Sequence, residues 1–143
     1  MLEEVYNEII WSEQKKVLKE AIHTRLISIE SLTEIEELEL FSSLSRTLGF
    51  GEAASIAYAH CHKCILLSDE NNRAFMREVE RTITKKRLKR TPELLAEIIR
   101  SKIISLSEIN IRIENLANRA STPRDLNDVE HLKHVLELVR KLL

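Results

Sequence analysis

The stretch LGFGEAASIAYAHCHKCILLSDENNR, residues 48–73, decides how the rest of the chain is read. Gly49 and Gly51 are the only glycines in 143 residues, and they flank Phe50 immediately before Glu52. Two residues free to take positive φ let the backbone turn sharply into a helix. Ala53, Ala54, Ile56, Ala57 and Ala59 then give that helix a small-residue face suited to close packing. Cys64-Ile65-Leu66-Leu67 is a short apolar run of the kind a buried parallel strand shows, and periodicity alone does not separate it from a helix. Asp69 and Glu70 follow at once. Ligands of open α/β sheets collect beyond the carboxyl ends of strands, so these acids are candidates for a site.

Working outward, the N-terminal flank has apolar residues at Leu2, Val5, Tyr6, Ile9, Ile10, Val17, Leu18, Ala21 and Ile22, the spacing of one helix or two. The polar run Ser12–Lys16 is the expected break. Arg25-Leu26-Ile27-Ser28-Ile29 reads as a second strand, rich in β-branched and apolar residues. Ser31 with Glu34 has the spacing of a helix start in which cap and third residue bond reciprocally. The apolar face beyond it runs through Ile35, Leu38, Phe41, Leu44 and Leu48. Glu36, Glu37 and Glu39 are assigned to its solvated side.

The C-terminal flank is helical throughout. A helix over 74–84 carries Arg73, Arg77 and Arg81 four apart along one face, and Lys85, Lys86 and Arg87 extend the basic run. Between Arg73 and Arg90 eight basic residues stand against two acidic ones, whereas the whole chain has a net charge of −1. A local excess of this kind attracts phosphate, although such runs are more often simply solvated or paired. Thr91-Pro92 marks a helix start, Ser105 with Glu108 another, and Asp125 is the expected cap of the last. The final helix carries an apolar stripe from Leu126 to Leu142 that suits its own core or a partner groove.

Composition bounds the class. Hydrophobic residues make up 43% and charged residues 31%, which fits a globular chain rather than a disordered one. Two prolines and two glycines are too few for a hairpin-rich β protein. Cys61 and Cys64 lie too close together to be a secreted disulfide framework. With no leader and no apolar run of spanning length, a cytoplasmic location and no membrane are expected. His60-Cys61-His62-Lys63-Cys64 contains zinc-ligand types, but neighbours this close diverge around a helix end, so they are read as half-buried loop residues. His131 and His134 share a helix face without a third ligand and read as surface residues.

Gly51-Glu52-Ala53 before an alanine-rich helix, then a hydrophobic strand, Ser68-Asp69-Glu70 and Arg73, resembles the second half of a PIN domain. Val5-Tyr6-Asn7-Glu8-Ile9 is similar to that family's first acidic helix. Most PIN domains are small metal-dependent ribonucleases, many of them toxins of toxin–antitoxin pairs. The resemblance covers residues 5–9 and 48–75, with looser support from 91–116. The family's opening strand, which ends in a metal-binding aspartate, has no counterpart before Val5.

The resemblance implies an α/β fold, helix-rich, with a small parallel PIN-like sheet containing 25–29 and 63–68 and a helical C-terminal extension. Residues 1–90 would form the core and 91–143 a helical part packed on it, one domain in all. It implies Mg²⁺- or Mn²⁺-dependent cleavage of RNA. Glu52 and Asp69 would hold the metal, with Glu8 and Glu70 assisting. Arg73, Arg77, Arg81, Lys85, Lys86 and Arg87 would meet RNA phosphate. An antitoxin-like protein and a second copy in a homodimer are the implied partners. The rival reading is a non-catalytic PIN-derived module that binds protein or nucleic acid.

Overall fold

The helix expected after the two glycines forms from Phe50 to Cys61 and is the centre of the first of two compact units. The computed structural model describes residues 1–143, Arg124 by its backbone alone. Residues 1–66 with 70–88 make the first unit, and 67–69 with 89–143 the second.

In the first unit the helices are α1 (Glu3–Glu8), α2 (Ser12–His23), α3 (Ile35–Leu44), α4 (Phe50–Cys61) and α5 (Arg73–Thr82), followed by a 3₁₀ turn, Lys85–Arg87. α4 packs against α1, α3 and α5. Ala53, Ala54, Ile56 and Ala57 are wholly buried, and the short alanine side chains let three neighbours approach the same cylinder. Leu44, Leu48, Phe75, Val79 and Ile83 complete this core. In the second unit α6 (Thr91–Arg100), α7 (Leu106–Arg119) and α8 (Pro123–Leu142) are joined by short links, and α8 packs on both others. Ala96, Val135 and Val139 are buried there against Leu95, Ile99 and Leu106.

The protein is helix-rich with a small parallel sheet of two strands, β1 (Leu66–Leu67) and β2 (Leu88–Lys89). The sheet differs from expectation in its partner. Residues 25–29 are not a strand. Arg25 takes a φ of 58°, and the amides of Leu26 and Ile27 both turn back to the carbonyl of Ala21, so this segment closes α2. Only Glu30 makes a bridge, parallel to Leu2. The strand expected over 63–68 shortens to two residues, because Lys63, at φ 53°, is still ending α4.

Helix starts also move, that of α6 by one residue, with Arg90 in the cap position and Thr91 first in the helix. α3 begins after Glu34, not Ser31, because the Glu37 carboxylate accepts the amides of Thr33 and Glu34 at 2.8 and 2.9 Å. Ser31 instead donates its hydroxyl to Glu3. α8 is capped by Thr122, with Asp125 completing the reciprocal pair through the amides of Ser121 and Thr122. At α7 the Ser105–Glu108 pair forms as the spacing requires. The break near the N-terminus falls at 9–11, and Ser12–Lys16 opens α2. No helix among the described residues is long and apolar enough to cross a membrane.

Candidate functional site

The first turn of α4 collects acids from separate parts of the first unit. Glu52 reaches back so that its Oε2 accepts the Gly49 amide at 3.1 Å. Glu8, the last residue of α1, places Oε1 3.0 Å from the Gly51 amide. These amides are donors that the helix itself leaves unpaired, and the positive end of the helix dipole favours the carboxylates. Glycine at 51 leaves room for this approach, since a Cβ there would stand 2.6 Å from the Glu8 carboxylate and the carboxylate would have to move aside. Glu4, one turn earlier on α1, has a buried Oε2 with no hydrogen-bond partner.

The second acidic turn is organised in the same way. Glu70 Oε1 accepts the amides of Asn71 and Asn72, both at 2.8 Å. Asn72 caps α5 through the Phe75 amide, and its Nδ2 donates to Glu52 Oε1 at 3.5 Å. Glu8, Glu52 and Glu70 thus belong to one unit and are linked through Gly51 and Asn72. Asp69 belongs to the other unit, where its Oδ1 accepts the Thr91 amide at 2.9 Å and so holds the start of α6.

Carboxylates of this kind have the oxygen chemistry that Mg²⁺ or Mn²⁺ takes. Among the described residues no three His, Cys, Asp or Glu side chains come together in one group, and each of these acids is engaged by a main-chain amide.

The basic run resolves into separate roles. Arg77 and Arg81 both pair with Glu78 and Lys85 pairs with Glu80. The two arginines hold the nearly buried Glu78 carboxyl below the usual range, Arg81 most strongly. Arg87 turns inward and donates to the carbonyls of Ala59 and Cys64, which makes it a cap for the end of α4. Arg73 and Lys86 are exposed and have no ion pair among the described residues.

The residue that sequence reasoning passed over is Glu37. It is 1% exposed, and His62 Nε2 stands 2.5 Å from its Oε1. The Tyr58 ring stacks on His62 with centroids 4.0 Å apart. The signal was available: Glu37 shares a helical face with Phe41, Leu44 and Leu48, at i+4, i+7 and i+11, which is the apolar side. His60 and Cys61 belong to α4 itself and His62 is its C-cap, so this run is a helix end rather than a loop. Burial, with Glu36 and Glu37 nearby, pushes the Cys61 thiol up.

No family model, curated protein or solved structure matches the chain.

Proposed function

We propose that this chain is a PIN-like module of the ribonuclease type, with RNA as its ligand and Mg²⁺ or Mn²⁺ as the ion that cleavage would require. The observation that carries this reading is the bond between Glu8 and the amide of Gly51, the residue before Glu52. The two segments that resemble the family, 5–9 and 48–75, lie far apart in sequence, yet α1 packs on α4 and Glu8 bonds the Gly51 amide. The unpaired buried oxygen of Glu4 beside this junction supports it further, because a buried carboxylate oxygen without a donor is costly unless a cation or proton satisfies it. Arg73 and Lys86 are the cations best placed to meet phosphate, being exposed and outside the ion pairs that engage Arg77, Arg81 and Lys85.

The test is cleavage of a labelled RNA by the purified chain with Mn²⁺, with chelator, and in Glu52→Gln. Cleavage that needs the metal and falls in the variant supports the reading. Equal inactivity in all three arms removes the catalytic part of it.

A second reading, a binding module of the same descent without catalysis, is favoured by a different observation. Glu8, Glu52, Glu70 and Asp69 each accept a main-chain amide at a turn or helix start. Capping alone accounts for all four. Under this reading RNA binding is insensitive to chelator and is weakened by Arg73→Ala with Lys86→Ala, whereas Glu52→Gln lowers stability and leaves affinity unchanged.

A further inference from the structure

α2 buries none of its twelve residues, although Val17, Leu18 and Ala21 fall on one side of it while Lys16 and Lys19 fall on the other. The flanking chain makes that apolar side into a groove. The amides of Leu26 and Ile27 return to the Ala21 carbonyl and lay Ile27 along α2, while the Glu30 amide holds the Met1 carbonyl at 2.9 Å. With Ile9, at the end of α1, these residues border a cleft of about 490 Å³. Val17 is 69% exposed and Ile27 37%, so hydrocarbon faces solvent along its length. Small-molecule sites have this size and this mostly apolar lining, with a few polar groups that fix the ligand.

The polar groups here are Glu13 and Gln14. Glu13 has no ion pair among the described residues. Lys15, the cation on the margin of the apolar side, stands instead over the Tyr6 ring, 5.7 Å from its centroid. We propose that this groove binds a small aliphatic amine, its hydrocarbon chain lying along Val17, Leu18 and Ile27 and its ammonium at Glu13. A carboxylate without a counter-charge attracts a cation and repels anions, whether carboxylate, phosphate or acidic lipid. The apolar walls favour hydrocarbon over a hydrated ion. Gln14 offers an amide oxygen as a second acceptor for the ammonium. The inference is independent of the RNA reading, which uses neither Glu13 nor the apolar side of α2.

The experiment is titration of the purified chain with octylammonium, 1-octanol and octanoate, followed by the fluorescence of Trp11, the one tryptophan, at the start of α2. Circular dichroism confirms the folding of each variant. Octylammonium is expected to bind about two- to fivefold more tightly than octanol, and octanoate more weakly than either. Each methylene added from butyl- to octylammonium strengthens binding by about two- to fourfold. Glu13→Gln removes the preference for the amine and leaves the affinity for octanol unchanged, whereas Val17→Ser weakens all three ligands. No saturable change with octylammonium overturns the proposal, as does a preference for octanoate or an amine preference that survives Glu13→Gln. So does the same face being taken up by phosphatidylglycerol vesicles, or by a second copy in sedimentation equilibrium, without competition from octylammonium.

Discussion

Nε2 of His62, at the end of α4, lies 2.5 Å from Oε1 of Glu37, in the first turn of α3. The other carboxylate oxygen accepts the Thr33 and Glu34 amides, so a fully buried acid is satisfied on both sides and ties two helices of the core together. The amide bonds, that of Glu34 foremost, hold its carboxyl below the usual range in spite of burial. A folded pKa below the unfolded one means that the stabilisation is present above the unfolded value and disappears as pH falls through the folded one. Glu37→Gln is expected to cost about 1–3 kcal/mol at neutral pH. Urea midpoints followed from neutral to acid should fall steeply for the wild type and less so for the variant. Parallel curves would show that Glu37 is not the group responsible.

The Glu8–Gly51 approach gives a second prediction. In Gly51→Ala the new Cβ occupies the space of the Glu8 carboxylate, which must swing away and lose its amide. The loss is about 1 kcal/mol, because Glu8 is a flexible side chain rather than fixed backbone. Glu8→Ala removes the same bond from the other side. The double variant should therefore cost much less than the two single costs added together. Additive costs in urea melts would separate the two residues energetically and weaken the functional reading built on their contact.

What could be read from the sequence follows the range of the interactions. α4 and the Ser105–Glu108 start of α7 depend on residues within one turn and form where the spacing puts them, while α6 starts one residue early, with Arg90 in the cap position and Thr91 first in the helix. The segment 25–29 has strand propensity throughout, but α2 ends in a left-handed residue at Arg25 and consumes its first amides, so tertiary context overrides the preference. β2 is two residues long inside a basic run, too short for any periodicity to reveal. Of the four acids proposed as a site, Glu8 bonds the Gly51 amide, next to Glu52 in the sequence, through a contact spanning 43 residues that no local pattern encodes. Glu37 was assigned to the solvent because three glutamates in four positions resemble an exposed face, although only its two neighbours are exposed.

Arg87 was read from the sequence as a phosphate contact, and its hydrogen bonds give it a measurable structural role. Its guanidinium lies 3.0 and 3.1 Å from the Cys64 carbonyl and also bonds that of Ala59. Hydrogen bonds from a charged donor to otherwise unpaired carbonyls contribute about 1.5–3 kcal/mol. Arg87→Met keeps much of the packing and removes the donors, and is expected to lower the free energy of unfolding by that amount, read as a lower urea midpoint. Lys86→Ala, exposed on the same turn, should change stability by less than about 0.5 kcal/mol. If the two substitutions prove equally mild, the end of α4 is held by something other than Arg87.

Thr84 offers the opposite sign of effect. Its φ of 70° and ψ of 149° lie in a region that glycine occupies freely and a β-branched residue does not. The conformation is imposed from both sides: its amide bonds the Val79 carbonyl at 2.9 Å, and its own carbonyl accepts from Arg87 at 3.2 Å. Such strain costs about 1–3 kcal/mol. Glycine at this position removes it while adding roughly 0.5–1 kcal/mol of chain entropy to the unfolded state. Thr84→Gly should therefore stabilise the first unit by about 1 kcal/mol and raise its melting temperature. Thr84→Ala keeps a Cβ in the same strained conformation and should be close to neutral. A melting temperature that falls with glycine and holds with alanine would mean that the threonine side chain itself stabilises the turn.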